Sequence, residues 1–69
     1  PAGMIGQIGL VLSSITPGGT GRVSARGELW SATADHVIEN GDEVRVVSVD
    51  GMKLTVRRLA PPFDGGSEV

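Results

Sequence analysis

Residues 41–59 of the chain read GDEVRVVSVDGMKLTVRRL, two runs rich in Val and Leu on either side of Asp50-Gly51. Asp-Gly is one of the dipeptides that readily adopt the positive φ angles of a tight type I′ turn. After this turn, apolar and polar residues alternate over residues 52–57, which is the pattern of a strand with one buried face. The stretch therefore predicts a β-hairpin whose second strand places Met52, Leu54 and Val56 on the apolar side.

The run before the turn does not alternate so simply. Val44 and Val46 have one parity, whereas Val47 and Val49 have the other. A one-residue β-bulge near Val46-Val47 would return Val44 and Val46 to the apolar side. Because bulges bend strands and a small closed barrel needs bent strands, we expect a barrel rather than a flat sheet.

Length and composition restrict the chain to a small, β-rich class. Its 69 residues suffice for one domain, and 11 Gly and 4 Pro beside many Val and Ile favour strands joined by tight turns. It has no Cys, so neither a disulfide nor a thiolate metal site can stabilise the domain. The net charge of −2 argues mildly against a general nucleic-acid binder. No apolar run approaches the ~20 residues that span a bilayer.

The remaining segments complete a five-stranded barrel. In chain order we expect a loose lead-in at 1–4, a first strand at 5–14, a turn at 16–21, strands at 22–26 and 28–34, a connection at 35–42, the hairpin, and a flexible tail at 60–69. Gly6 and Gly9 are interpreted as sites of strand curvature or close backbone approach rather than ligand contact. Asp35 could cap one helical turn in the connection. The prediction is an all-β, OB-fold-like Greek-key barrel at 5–59, without the usual long helix between strands 3 and 4.

Few side chains of this chain are arranged for catalysis or metal binding. His36 is the only His, its nearest acid is its own neighbour Asp35, and no serine lies in a Gly-x-Ser-x-Gly elbow. Glu39, Asp42 and Glu43 complete an acidic cluster, but their spacing matches no metal-binding loop, so a solvated connection is the preferred interpretation. We expect no catalytic residue, no metal and no cofactor.

Binding to another molecule is the remaining class of function. Trp30 could plug the barrel end or anchor a partner, and Leu29 points away from it along the same strand. His36, Val37 and Ile38 in the 35–42 connection complete the candidate partner-binding residues. The alternative is an OB module that binds single-stranded nucleic acid. Such modules combine a basic groove with stacking aromatics, whereas this chain has scattered arginines, one Trp and no Tyr.

Five motifs in this order resemble the C-terminal soluble domain of NfeD proteins, the nodulation-efficiency D family. They are GQIG at 6–9, PGG at 17–19 with GRV at 21–23, GELWSA at 27–32, IENGDEVRVV at 38–47, and GMKLTV at 51–56. Each motif is weak alone, but their order and spacing are specific, and the resemblance spans residues 5–59. The chain begins with Pro1 rather than Met, so we expect it to be a piece of a longer protein.

The resemblance implies an OB-fold domain of a bacterial or archaeal protein that carries transmembrane helices ahead of it. It implies stomatin- or flotillin-like membrane proteins as partners, and for long family members an additional serine protease domain of the ClpP class. No catalytic residue is carried over, because the family has none agreed for this domain. We therefore predict a non-catalytic interaction domain of a membrane-anchored protein, expected on the cytoplasmic side, with self-association left open.

Overall fold

The structure, a computed structural model, describes residues 2–59 of the chain. A 3-10 helix at Ala2–Met4 is followed by β1 (Ile8–Ser13), β2 (Gly21–Ala25), β3 (Glu28–Thr33), β4 (Glu43–Asp50) and β5 (Lys53–Arg58). The strands close into a barrel in the order β1-β2-β3-β5-β4, with β4 pairing back onto β1. Only β3 and β5 pair in parallel. This confirms the predicted all-β barrel of the OB type. The predicted tail at 60–69 lies outside the described residues.

The β4–β5 hairpin confirms the predicted β-bulge. Val46 pairs with Val56 and Ser48 pairs with Thr55, so Val47 is the extra residue between them. As a result Val44 and Val46 are both buried, whereas Val47 is 41% exposed. The bulge thus resolves the conflicting parities of the first run.

The hairpin turn lies one residue later than predicted. Asp50 pairs with Lys53, so the two turn residues are Gly51 and Met52 rather than Asp50 and Gly51. Gly51 has a φ of 64° and Met52 has no positive φ, which fits a type II′ turn with Gly at its first central position. The prediction that Met52 lies on the apolar side is wrong, because it sits in the turn and is 82% exposed.

The type I′ pattern occurs instead in the β2–β3 hairpin. Ala25 pairs with Glu28, which leaves Arg26-Gly27 as the two turn residues. Their φ angles are 55° and 76°, the positive values that a type I′ turn requires at both central positions. Arg26 is the one non-glycine residue of the described chain that has a positive φ.

The core is aliphatic and fills the barrel. Its buried members are Met4, Val11, Ile15, Val23, Ala25, Ala32, Ala34, Ile38, Val44, Val46, Leu54 and Val56. Among residues 2–59 no polar or charged side chain is buried. Met4 lies within the predicted lead-in, yet the 3-10 helix brings its side chain into this core. Trp30 and Val49 are half-buried and pack against it.

Two glycines let β1 and β2 approach each other closely. A Cβ atom on Gly9 would lie 2.7 Å from Val23 Cγ1 and 3.0 Å from the Ser24 carbonyl oxygen. A Cβ atom on Gly21 would meet the carbonyl oxygens of residues 13 and 14 and the Ile15 side chain. Real Cβ atoms do not make contacts this short, so both positions require glycine, which has no side chain.

The connection between β3 and β4 is extended rather than helical. The predicted helical turn from Asp35 is wrong: the segment instead forms an isolated bridge between Ile38 and Ile15. Each of these residues donates its N–H to the other's carbonyl oxygen, at 2.8 and 2.9 Å. The absence of a long helix at 34–42 agrees with the prediction. Within residues 2–59, no helix has the length and hydropathy needed to cross a bilayer.

The two ends of the barrel differ in the connections that they carry. The turn end carries the β2–β3 and β4–β5 turns, at Arg26-Gly27 and Gly51-Met52. The loop end carries the β1–β2 loop at 14–20 and the β3–β4 connection at 34–42.

Candidate functional site

The five candidate partner-binding residues do not form one surface. Leu29 and Trp30 lie in the first half of β3, near the turn end, whereas His36, Val37 and Ile38 lie in the connection at the loop end. Leu29 and Val37 are 56% and 49% exposed, but Ile38 is fully buried in the core. Ile38 is therefore a packing residue, and the other four are divided between opposite ends of the barrel.

Trp30 packs as a plug near the turn end. Its ring is half-buried against the core, and its Nε1 is buried without a hydrogen-bond partner among the described residues. A cleft of about 300 Å³ lies on one side, lined by Met4, Arg26 and Glu28. A second of about 340 Å³ lies towards Leu29 and Met52. Glu28 lines both clefts, and Arg26 adds a second charged side chain to the first.

His36 joins the β3–β4 connection to the end of β5. Its Nδ1 lies 2.7 Å from Asp35 Oδ1, and its Nε2 accepts a hydrogen bond of 3.2 Å from the Arg58 N–H. Because Nε2 accepts, the neutral ring carries its proton on Nδ1 and donates it to Asp35. This hydrogen bond is the main reason why the pKa of the Asp35 carboxyl is lowered. Both ring nitrogens of His36 are engaged, and within residues 2–59 no serine or threonine hydroxyl is hydrogen-bonded to them.

Asp42 contributes to the same junction. Asp42 Oδ2 accepts a hydrogen bond of 3.0 Å from the Glu39 N–H and lies 3.5 Å from an Arg58 guanidinium nitrogen. Within residues 2–59 no three His, Asp or Glu side chains come together as metal ligands would. The Asp42 carboxylate therefore helps to hold the loop end against the end of β5.

The outer face of β1 is an exposed apolar surface that the candidate residues did not include. Ile8, Leu10 and Leu12 are 44%, 42% and 44% exposed on alternate positions of one strand. Ser24 is the register partner of Leu10 on one side and of Leu29 on the other, so Leu29 extends this surface across β2. The signal was the shared parity of the three β1 residues, but parity alone does not say which face is inside.

An arginine pair borders this apolar stripe. Ile8 is the register partner of Arg45, and Arg45 is in turn the register partner of Arg57. Both arginines are exposed. The ion pairs of the described chain are His36–Asp35 and Arg58–Asp42, so neither Arg45 nor Arg57 has an acidic partner there. Like charges directly opposite each other on neighbouring strands repel.

Relatives of known sequence share most of this chain. The family model of the NfeD-like C-terminal, partner-binding domain matches residues 1–58. The chain is 46% identical over 57 residues to the membrane-bound protease PH1510 of Pyrococcus horikoshii, with 80% of this chain and 12% of the relative covered. It is 33% identical over 55 residues to the uncharacterized protein MJ0826 of Methanocaldococcus jannaschii, with 80% of this chain and 40% of the relative covered. The chain thus spans less than half the length of either relative.

Solved structures share its fold. The C-terminal domain of the stomatin operon partner protein 1510-C from Pyrococcus horikoshii superposes with a TM-score of 0.78 at 42% identity, covering 87% of this chain and 94% of that one. The soluble domain of a Corynebacterium glutamicum membrane protein, described as implicated in regulation of membrane protease activity, gives 0.78 at 27% identity, covering 87% and 98%. The soluble domain of the NfeD protein YuaF from Bacillus subtilis gives 0.74 at 27% identity, covering 81% and 74%.

The resemblance read from the motifs is therefore confirmed by sequence and by fold. The matched region, residues 1–58, includes every strand of the barrel. The chain belongs to the NfeD family, and within it to the NfeD-like C-terminal, partner-binding domains.

Proposed function

We propose that this chain is the partner-binding domain of a membrane-anchored NfeD protein and that its partner is a stomatin- or flotillin-like membrane protein. The observation that carries the proposal is its similarity, 42% identical over nearly the whole domain, to a structure described as a stomatin operon partner protein. PH1510 of the same organism is described as a membrane-bound protease. Both descriptions belong to those proteins and support the proposal by homology.

The geometry of the barrel fits binding better than chemistry. His36 and the carboxylates of Asp35 and Asp42 are engaged in contacts that hold the loop end together. Exposed aliphatic side chains, by contrast, are available on the outer face of β1 and at Leu29. Apolar surface that remains exposed on a small domain is characteristic of protein interaction sites. Of the five candidate residues, Leu29 is the one we propose as a partner contact.

Retention of a stomatin-like protein on the immobilised chain tests this function. The detergent-solubilised stomatin-like protein of the same organism is passed over the 69-residue chain, and retention is expected. The Leu54→Asp variant places a charge at a fully buried position, unfolds the barrel and should retain nothing, which shows that binding depends on the fold. If the stomatin-like protein passes both columns equally, the proposed partner is wrong.

We also propose that the domain faces the cytoplasm and is tethered through segments that precede it in the full-length protein. The chain contains no Cys, so once any cysteines elsewhere in the full-length protein are replaced by serine, one introduced cysteine is a unique label. Met52→Cys is suitable because residue 52 is 82% exposed in a turn. In the full-length protein, a membrane-impermeant maleimide should react with it in inside-out vesicles and not in intact cells. Labelling of intact cells would place the domain on the opposite side.

Binding of single-stranded nucleic acid is the competing function. The observation in its favour is that Arg45 and Arg57 lie side by side without an acidic partner among the described residues. This alternative lacks aromatic side chains on which bases could stack. Trp30 is half-buried, and residues 2–59 contain no Phe or Tyr. A fluorescent oligothymidine titrated at low salt should show no saturable binding. Saturable binding that weakens steeply with salt would favour the nucleic-acid function instead.

A further inference from the structure

Three neighbouring strands of the barrel present one continuous surface of mixed character. We call it the β1–β5 face and define it by Ile8, Leu10 and Leu12 on β1, Arg45 on β4 and Arg57 on β5. It combines an exposed aliphatic stripe with two exposed arginines that lack acidic partners in the described chain. Neither feature is needed to close the barrel, whose interior is filled by other residues.

The aliphatic stripe is linear. Three alternate positions of a strand lie in a row, and the four residue steps from Ile8 to Leu12 extend about 13 Å at ~3.3 Å per step. Outward positions of a barrel strand in contact with water are usually polar. A helix covers a similar length in about nine residues, at 1.5 Å per residue. Apolar side chains at i, i+4 and i+8 of such a helix would match the three β1 side chains.

The arginine pair gives the face its charge preference. Arg45 and Arg57 are directly opposite on antiparallel strands, where like charges repel each other. Arg57 also contributes, as the smallest cause, to the lowered pKa of Asp35, but the two groups form no ion pair. The chain is acidic overall, with 8 Asp and Glu against 6 Lys and Arg, so this pair is a local positive site on a negative molecule. Carboxylates supplied by another molecule would relieve the repulsion.

We infer that the β1–β5 face binds an acidic amphipathic helix of a partner protein, with its apolar ridge on Ile8, Leu10 and Leu12 and its carboxylates over Arg45 and Arg57. This inference rests on the proposed partner-binding function and specifies the chemistry of the partner. A helix is favoured over an anionic lipid surface because exposed Glu43 is the register partner of Leu10. A flat layer of negative charge would be repelled by that carboxylate, whereas a helix places its acids only where the arginines are.

A matched pair of peptides tests the inference. The first is an amphipathic helix of about 18 residues, five turns, with leucines along one side and glutamates on one flank of the leucines only, so that the other flank faces Glu43 without charge. The second has lysine in place of every glutamate. Each is titrated into the ¹⁵N-labelled 69-residue chain at low salt. We expect the acidic peptide to shift the amide signals of residues 8–12, 45 and 57, to bind at least about tenfold more tightly than the basic one, and to weaken with added salt.

Substitutions on the face separate binding from folding. Arg45→Glu should raise the thermal midpoint, because it creates a cross-strand ion pair with Arg57, and should weaken the acidic peptide at least about tenfold. Arg45→Gln should weaken binding of the acidic peptide less than Arg45→Glu does. Lys53→Gln is the control: it removes one positive charge outside the face and should weaken binding less than Arg45→Gln does. Replacing both Ile8 and Leu10 with Thr, which keeps strand propensity, should abolish binding, whereas Met52→Thr should not.

Several outcomes would overturn the inference. They are no binding of the acidic peptide, equal binding of both peptides, signal changes confined to other faces, or binding of phosphatidylglycerol vesicles in place of the peptide. A dimer in sedimentation that Ile8→Thr and Leu10→Thr abolish would assign the face to a second copy of the chain instead. If the peptide fails while the stomatin-like protein is retained on the column, this inference falls and the proposed function stands. If the peptide binds as expected and the stomatin-like protein is not retained, the proposed stomatin- or flotillin-like partner is wrong and this inference stands.

Discussion

The two faces of β1 distribute side-chain size in opposite ways. The inward face carries Gly9 and Val11, while the outward face carries Ile8, Leu10 and Leu12, each more than 40% exposed. Inside, space is the limit, since a single Cβ on Gly9 would stand 2.7 Å from a Val23 methyl group. Outside, among the described residues, the larger side chains take no part in the buried core. The fold thus accounts for the small residues of this strand, and the large ones are left to be explained by binding.

The same substitution on each face gives the largest contrast. Leu54 is fully buried and Leu10 is 42% exposed. Leu54→Ala should lower the free energy of unfolding by about 3 kcal/mol, because it removes buried methyl groups and leaves a cavity. Leu10→Ala should cost about 0.5 kcal/mol, the scale of strand propensity and partial exposure. Urea unfolding followed by the fluorescence of Trp30, the one tryptophan of the chain, measures both. Similar losses for the two variants would mean that Leu10 is a structural residue and would weaken the case for the β1–β5 face.

Close approach of β1 and β2 gives the second contrast. Gly21→Ala should cost about 1–3 kcal/mol, because the new Cβ meets backbone carbonyl oxygens that cannot move without disturbing the strands. Gly3→Ala is the matched control: its Cβ would lie 3.2 Å from the flexible end of Arg26, and the change should cost a few tenths of a kcal/mol. Thermal unfolding of both variants measures the difference. A tolerated alanine at 21 would mean that the strands can separate at little cost.

Much of the interior was predictable from the sequence because it follows strand periodicity. The conflicting parities of Val44, Val46, Val47 and Val49 admit few solutions once one face must be apolar, and the bulge is one of them. Glycine and proline density, the short connections and the absence of a helical pattern then led to a five-stranded barrel. Those constraints are local, so one sequence carries them.

The features that the sequence missed depend on contacts between distant residues. The hairpin turn shifted by one residue because Val49 pairs with Leu54 in the barrel, and this register outweighs the preference of Asp-Gly for a type I′ turn. The connection is extended rather than helical because Ile38 pairs with Ile15, 23 residues earlier in the chain. The β1–β5 face was missed for the same reason, since Ile8, Arg45 and Arg57 become neighbours only when the barrel closes.

The outer surface also carries a strained turn residue, and relieving it gives a smaller effect of opposite sign. Arg26 has a φ of 55°, a left-handed conformation that is unfavourable for a long side chain. Arg26→Asn produces Asn-Gly, the preferred type I′ pair, and should stabilise the domain by about 0.5–1 kcal/mol, a rise of several degrees in Tm. Arg22→Asn, which makes the same change within β2, should destabilise it, because Asn is disfavoured in strands. A fall in Tm for Arg26→Asn would show that the arginine side chain contributes more than its backbone strain costs.

The smallest expected effect concerns the contact between His36 and the exposed carboxylate of Asp35. Because solvent screens this contact, it should shift the pKa of Asp35 but stabilise the fold very little. The pKa of Asp35 is lowered chiefly by the hydrogen bond from His36. Since the folded-state pKa lies below the unfolded one, the associated stabilisation is present above the ordinary aspartate range and is lost as the pH falls through the lowered value. In His36→Ala the Asp35 pKa should rise towards the ordinary aspartate value of 3.8, while Val37→Ala should leave it unchanged. Side-chain carboxyl NMR titration measures both variants. An Asp35 that titrates identically in wild type and His36→Ala would show that the 2.7 Å contact is not maintained in solution. In that case the link from His36 to the Arg58 N–H would be left to join the connection to β5 without a fixed ring orientation.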